Sequence, residues 1–427
     1  MHRIVINKLG PISYCELKCS DFLTFTGFQA SGKSTIAKAI YFFRTVKEDI
    51  LNISVKQAVD AYQSEKSLRR RLEAVLREKF LRIFGSSWGM ENDMFLEYFY
   101  TDSVYIKVML MKETVYSTPN YVWIELSDEI KSFLRMHNRF LKAESTGIPE
   151  MAKEAFKRDL NNFFDDKFSV VYIPAGRSMI TLLSNQLSYI YSTMEDSQKR
   201  ALDYCTQDYL ERILRLKTEF EYGIRGLQSR GGGKKSQEAV KRAIQLIDNI
   251  LCGTYQCNNG EERIMLDNER YVKINFSSSG QQEAVWILNL LFYYLVKNEP
   301  ILFIIEEPES HLFPEAQKYI TELIGLVFNQ GNSMLVTTHS PYVLGALNNL
   351  LYANRISLID ASKVDEVISK MLWLQGEKFS AWFVKDGKIE NCIDEEIEMI
   401  QNQKIDEISK VINSDFDKIF DIQINNS

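Results

Sequence analysis

Short apolar runs alternate along the chain with longer stretches of helical spacing. Arg3–Asn7 alternates branched apolar and polar residues, and Phe22-Leu23-Thr24-Phe25-Thr26 runs into a glycine, so both segments are predicted as strands. Ile36–Phe43 follows the glycine-rich turn with helical spacing, giving a strand, loop and helix in succession. In residues 50–90, Leu68, Leu72, Val75, Leu76 and Ile83 share one helical face, and Arg69, Arg70, Arg71, Arg77, Lys79 and Arg82 lie between them. Those charges are expected in solvent. Val104–Leu110 and Tyr121–Leu126, separated by Ser117-Thr118-Pro119-Asn120, predict a hairpin or meander, and a charged helical stretch follows over 128–165.

Phe168–Ile173 is predicted as a buried strand ending in Pro174-Ala175-Gly176-Arg177-Ser178. A polar, helix-favouring region over 180–229 is broken at Arg230-Gly231-Gly232-Gly233 and resumes over Lys234–Leu251, which predicts an antiparallel helical arm with a glycine tip. Residues 262–276 resemble a hairpin turning near Asp267-Asn268. The apolar helix Ala284–Val296, the apolar run Ile301–Ile305, a helix over 314–328 and the strand Ser333–Thr337 then alternate as in a parallel sheet. An acidic helical segment is expected from Asp394 to Ile419.

With 45% hydrophobic and 25% charged residues among 427, the composition is that of a folded globular chain. A net charge of −6 means that any contact with nucleic acid must come from a local basic patch. The six cysteines include no C-x-x-C pair and only four histidines are available, which argues for reduced structural thiols rather than a metal cluster. No run of about 18 uncharged apolar residues occurs, and the N-terminus turns polar too soon for a signal peptide. A cytoplasmic protein without a membrane partner is the expectation.

Gly27-Phe28-Gln29-Ala30-Ser31-Gly32-Lys33-Ser34 fits G-x-x-x-x-G-K-[ST] at every fixed position, between a predicted strand and a predicted helix. Glycines let backbone N–H groups close around phosphate, and the helix N-terminus adds positive potential. Gly27, Gln29, Ser31, Gly32, Lys33, Ser34 and Thr35 are therefore assigned to nucleotide binding, with Lys33 reaching the β- and γ-phosphates of ATP and Ser34 ligating Mg²⁺. Glu306-Glu307 ends the apolar run Ile301–Ile305. Adjacent acids there are costly to bury unless a cation or nucleophile uses them, and the segment resembles a Walker B strand, which implies Glu306 for the Mg²⁺ shell and Glu307 for the attacking water. His339, at the end of another apolar strand, would alone suit a structural histidine. Beside the other two motifs it is assigned to the γ-phosphate and counted with Glu307 as catalytic.

Taken in order, the Walker A loop, Ser278-Ser279-Gly280-Gln281 before a helix, Glu306-Glu307-Pro308-Glu309 and Thr338-His339-Ser340 resemble the ABC-ATPase class. The Glu306–Pro314 stretch is similar to its RecF/SMC-like branch, including the OLD-type ATPases often found in bacterial anti-phage systems. The resemblance covers about 1–45, 168–178 and 270–345. It implies an α/β ABC-ATPase head, a P-loop parallel sheet plus an antiparallel β subdomain, here with a helical arm insertion. The corresponding division is 1–178 for the first part of the head, 179–260 for the arm, 261–360 for the second part and 361–427 for a C-terminal α/β extension.

The resemblance further implies a homodimer or higher even oligomer in which Ser278, Gly280 and Gln281 of one subunit close on the nucleotide of the other. The family's usual Leu-Ser-Gly-Gly-Gln is Ser277-Ser278-Ser279-Gly280-Gln281 here, and Glu306 stands in place of the Walker B Asp. Arg177 fits either a place near the nucleotide or an interface, or an ordinary surface position. OLD enzymes append a Toprim nuclease after the His-containing strand. Only 427 − 339 = 88 residues follow His339, so a slow stand-alone ATPase switch controlling a separate effector, a nuclease or toxin, is the leading expectation. The alternative is a RecF-like ATPase of DNA repair or recombination. Arg225, Arg230, Lys234, Lys235, Lys241 and Arg242 form a basic cluster at the arm tip that suits DNA phosphates, a protein partner or simple solubility.

Overall fold

The computed structural model describes residues 2–59, 67–111, 121–143, 150–181, 203–221, 223–230, 237–258, 260–394, 396–401 and 413–418. Strands and helices are numbered in chain order. β1 (Arg3–Leu9), β2 (Ile12–Lys18), β4 (Phe95–Phe99), β5 (Tyr105–Met111) and β6 (Tyr121–Leu126) form an antiparallel sheet ordered β2-β1-β4-β5-β6. β3 (Phe22–Gly27), β7 (Ser169–Ile173), β11 (Ile301–Glu306), β12 (Ser333–Thr337), β13 (Phe379–Lys385) and β14 (Lys388–Asn391) form the central sheet, ordered β14-β13-β3-β12-β11-β7. Its pairings are parallel except for the β13–β14 hairpin. The α/β class and the combination of a parallel with an antiparallel sheet are as the sequence predicts.

The apolar runs are continuous because both faces of the parallel sheet are buried. Leu23, Leu302, Ile304 and Leu335 enter the core shared with α1 (Lys33–Arg44), α2 (Val46–Val59), α3 (Leu68–Phe84) and the antiparallel sheet. Their neighbours Phe22, Ile301, Phe303, Ile305 and Met334 enter the opposite core, the period-two alternation of a strand. α4 (Asp128–Ala143) and α5 (Glu150–Phe163) pack outside α3 and α2.

Four segments depart from the sequence reading. First, α6 (Tyr204–Leu216), α7 (Gly223–Arg230) and α8 (Gln237–Leu251) do not stand clear as an arm. Tyr209, Ile213, Ala243, Leu246 and Ile250 join the core of α9 (Ser279–Lys297) and α10 (Pro314–Asn329), because their apolar faces find that burial on the sheet. The Gly231–Gly233 tip lies outside the described residues. Second, the C-terminal region is not an appendage. After α11 (Pro341–Val367), β13 pairs parallel with β3 in the register Phe379↔Phe22 through Val384↔Gly27.

Third, Lys79 is buried, where its Nζ donates to Asp49 Oδ2 at 2.7 Å and Thr45 Oγ1 at 2.6 Å. Fourth, the expected acidic helix begins instead with a short hairpin. Ile393 pairs with Ile400, and Asn348 fixes Ile400 by bonds of 2.8 and 2.7 Å to its carbonyl and N–H. Of the rest of that segment, 413–418 is a helical turn and 402–412 lies outside the described residues. β8 (Thr254–Asn258), β9 (Glu261–Met265) and β10 (Tyr271–Lys273) make a small antiparallel sheet with its turn near Asp267, as expected.

Candidate functional site

β3 ends at Gly27 and α1 begins at Lys33, so the Walker loop bridges a buried strand and a helix N-terminus. Gly27, Ala30 and Gly32 have φ of 138°, 59° and 108°. Residues in the left-handed region turn successive N–H groups inward and form an anion nest. Gly27 has a second constraint, because a Cβ there would collide with the Val384 carbonyl of β13. Lys33 Nζ folds back onto the Gly27 and Phe28 carbonyls at 3.0 and 2.7 Å and onto Ser31 Oγ at 3.4 Å. Burial lowers its pKa from 10.5 to about 8, against the opposing pull of Glu307 and Glu309. Gln29 and Ser34 are exposed, and Ser31 and Thr35 half-buried, so the loop's open side faces solvent.

The neighbouring strands bring the acidic groups to the same end of the sheet. Glu306 Oε2 accepts from the Ala175 N–H at 3.1 Å, while its Oε1 is buried without a hydrogen-bond partner. Apart from the buried Tyr172 hydroxyl beside it, this carboxylate is free to meet a hard cation, which needs few protein ligands when substrate oxygens and water complete its shell. Glu307 Oε1 lies 3.3 Å from His339 Nε2, and Ser310 Oγ donates to its other oxygen at 3.4 Å. The His339 contact holds the Glu307 carboxyl below its usual range despite partial burial. Glu309, which carried no assigned role, accepts from Thr338 Oγ1 and the His339 N–H, both at 2.7 Å, and burial raises its pKa. It fixes the backbone that carries His339.

The signature residues open α9. Ser278 and Gln281 form a reciprocal capping box, and Gln281 Nε2 also donates to the Leu251 carbonyl at 2.6 Å. Gly280 is buried against the loop after β11, where a Cβ would lie 2.6 Å from the His311 carbonyl oxygen. Ser278 and Ser279 are exposed, as are Phe276 just before them at 81% and Phe313 at 77%. Thus Gln281 has a structural task in its own chain that sequence reasoning missed, although the S-x-x-Q spacing carried the signal.

Arg177 is no surface residue: it is fully buried between β7, β11 and α9. Its partner Glu283 was missed too, though an acid directly before the apolar stretch Ala284–Val296 is the kind of residue that needs one. In the basic cluster, Arg225 lies 3.6 Å from Asp248 and Arg242 lies 3.2 Å from Glu322. Lys241 is exposed, Arg230 closes α7, and Lys234 and Lys235 lie outside the described residues. No helix among the described residues is long and apolar enough to cross a membrane.

The AAA ATPase domain family matches residues 1–344. No curated protein matches the chain. Among solved structures, the Smc head bound to the C-winged helix domain of ScpA is similar at 11% identity and TM-score 0.44, over 92% of this chain and 98% of that one. The Smc head with an extended coiled coil bound to the C-terminal domain of ScpA, from Pyrococcus furiosus, is similar at 12% identity and TM-score 0.40, over 96% and 100%. The SMC head domain from Thermotoga maritima is similar at 12% identity and TM-score 0.33, over 81% and 90%.

Proposed function

Because this chain belongs to the AAA ATPase domain family, we propose that it is an ABC-type ATPase hydrolysing Mg²⁺-ATP in a head-to-tail dimer. The observation that carries this reading is the convergence of three adjacent strand ends, with the Walker loop after β3, His339 after β12 and Glu306-Glu307 at β11. Lys33 exchanges its carbonyl contacts for the β- and γ-phosphates. Gln29, Ser31, Gly32 and Thr35 line the phosphate nest by backbone or hydroxyl, and Ser34 and Glu306 hold Mg²⁺. Bound there, the cation neutralises charge on the phosphates. Glu307, kept ionised by its neighbour, accepts a hydrogen bond from the attacking water and aligns it. His339 shares that carboxylate and faces the γ-phosphate.

The exposure of Ser278 and Ser279, with exposed Phe276 just before them, supports closure of this surface on a second copy's nucleotide. The test is complementation between Lys33→Ala and Ser278→Arg subunits. Gly280 is unsuitable for it, since a side chain there strikes His311 within the same subunit. Each variant alone loses both composite sites, whereas a mixed dimer regains one, so mixing restores part of the ATPase rate or at least ATP-dependent pairing of differently tagged subunits. Absence of both, with subunit exchange shown independently, refutes the dimer.

We further propose that the cycle serves as a slow switch in bacterial anti-phage defence, acting on a separate effector. The similarity of Glu306–Pro314 to OLD-type ATPases supports this assignment.

A further inference from the structure

We infer that Arg177 is a positioning residue that couples the catalytic strand end to the signature helix within one subunit; the inference rests on the ATPase reading above. Its Nη1 donates to the carbonyls of Pro174 at 2.6 Å and Glu306 at 2.7 Å. Nη2 donates to the Glu307 carbonyl at 3.0 Å, and Nε to the Glu283 carbonyl at 3.2 Å. The contact runs back as well, since the Glu283 carboxylate accepts the N–H groups of Arg177 and Ser178, both at 2.9 Å. A guanidinium is planar and its donors are fixed, so these acceptors lock the exit of β11 and the first turns of α9 into one relative orientation. A buried ion pair is a poor source of stability compared with apolar packing, which directs attention to the geometry it enforces.

Two further observations lie on the same path. Glu307 itself has φ of 44° and His311 has φ of 59°, backbone conformations that surrounding contacts must hold for residues with side chains. The Glu307 peptide is gripped from both sides: Arg177 takes its carbonyl, and its N–H donates to the Thr337 carbonyl at 2.9 Å. One turn of α9 before Glu283, Gly280 rests directly on the His311 carbonyl. The loop carrying the catalytic carboxylate therefore touches the signature helix at two points, through Arg177 and through Gly280. A shift of the Glu306–Glu307 peptides as nucleotide charge arrives cannot leave Ser278–Gly280 where they were.

The test uses the full chain carrying Arg177→Lys or Glu283→Gln, with and without Glu307→Gln. A fluorescent ATP analogue titrates the Walker site. Hydrolysis is expressed per titrated site, and deuterium exchange is followed at 278–283 with and without ATP. Nucleotide affinity should stay within a few-fold, because none of the named contacts touches the Walker loop. The rate per occupied site should fall about a hundredfold, the scale of a catalytic group misplaced by about 1 Å. The ATP-induced change in exchange at 278–283 should disappear. A residue that only stabilised the fold would lower the number of titrated sites while leaving both the rate per site and the exchange response intact, and that outcome overturns the inference. Should Arg177→Lys fail to fold, Glu283→Gln carries the same readouts, being isosteric and retaining an acceptor for the Ser178 N–H. Wild-type protein that binds ATP without hydrolysing it would instead refute the ATPase reading itself.

Discussion

ATP affinity should depend on pH through Lys33. In the free protein burial holds this ammonium at a pKa of about 8, against an ordinary 10.5. Phosphates beside it favour the charged form, so the bound pKa rises. The sign follows from that difference. Below pH 8 Lys33 already carries its proton and binding gains nothing from further acidification. Above pH 8 the nucleotide must bring a proton with it, and affinity falls as pH rises. With a pKa of about 8, about nine-tenths of free Lys33 is charged at pH 7 and about one-tenth at pH 9. The dissociation constant for ATP should therefore rise about tenfold across that interval, while ATP's own phosphates change little above neutrality. Isothermal titration calorimetry at pH 8 in two buffers of different ionisation enthalpy should report uptake of about half a proton per site. Lys33→Met should bind more weakly, with no such uptake. A constant affinity from pH 7 to 9, or equal proton uptake in Lys33→Met, refutes the reasoning.

Glu307→Gln should retain nucleotide binding and lose hydrolysis, since the amide keeps the shape of the side chain but not its negative charge; equal turnover in single-turnover assays would remove Glu307 from its role. Lys79→Met should cost about 3–5 kcal/mol by leaving the buried Asp49 carboxylate without its cation. Chemical denaturation followed by circular dichroism measures this, and a loss under about 1 kcal/mol would show that Asp49 is neutralised or hydrated in some other way.

The elements legible in the sequence were those whose signal is local. Continuous apolar runs such as Ile301–Ile305 marked the central strands, and the Walker spacing placed itself between β3 and α1. What escaped was set by partners distant in the chain. Arg177 and Lys79 carry charges that nothing nearby in the sequence marks for burial, and only the fold brings Glu283 and Asp49 to them. Phe379–Lys385 falls within a stretch that reads only as an α/β extension, yet its register against β3 places it beside the Walker loop. The helices over 204–251 read as an arm because periodicity reports an apolar face without saying what covers it.

The place of β13 beside β3 also has a consequence for biosynthesis. Until Ser333–Thr337 and Phe379–Lys385 have emerged, Phe22–Gly27 lacks both its partner strands, and the Walker loop has no scaffold on either side. The interval from Phe22 to Phe379 is 379 − 22 = 357 positions, about 20–70 s of translation at typical rates. During that time the growing chain holds a strand with two open edges, the kind of surface that recruits chaperones or aggregates. The antiparallel sheet with α1, α2 and α3 can condense early, whereas the strand leading into the Walker loop gains its second neighbour only when β13 docks and the Val384 carbonyl comes up against Gly27. A truncated product ending before Phe379 would thus keep β12 beside Phe22–Gly27 but leave the other edge of that strand open.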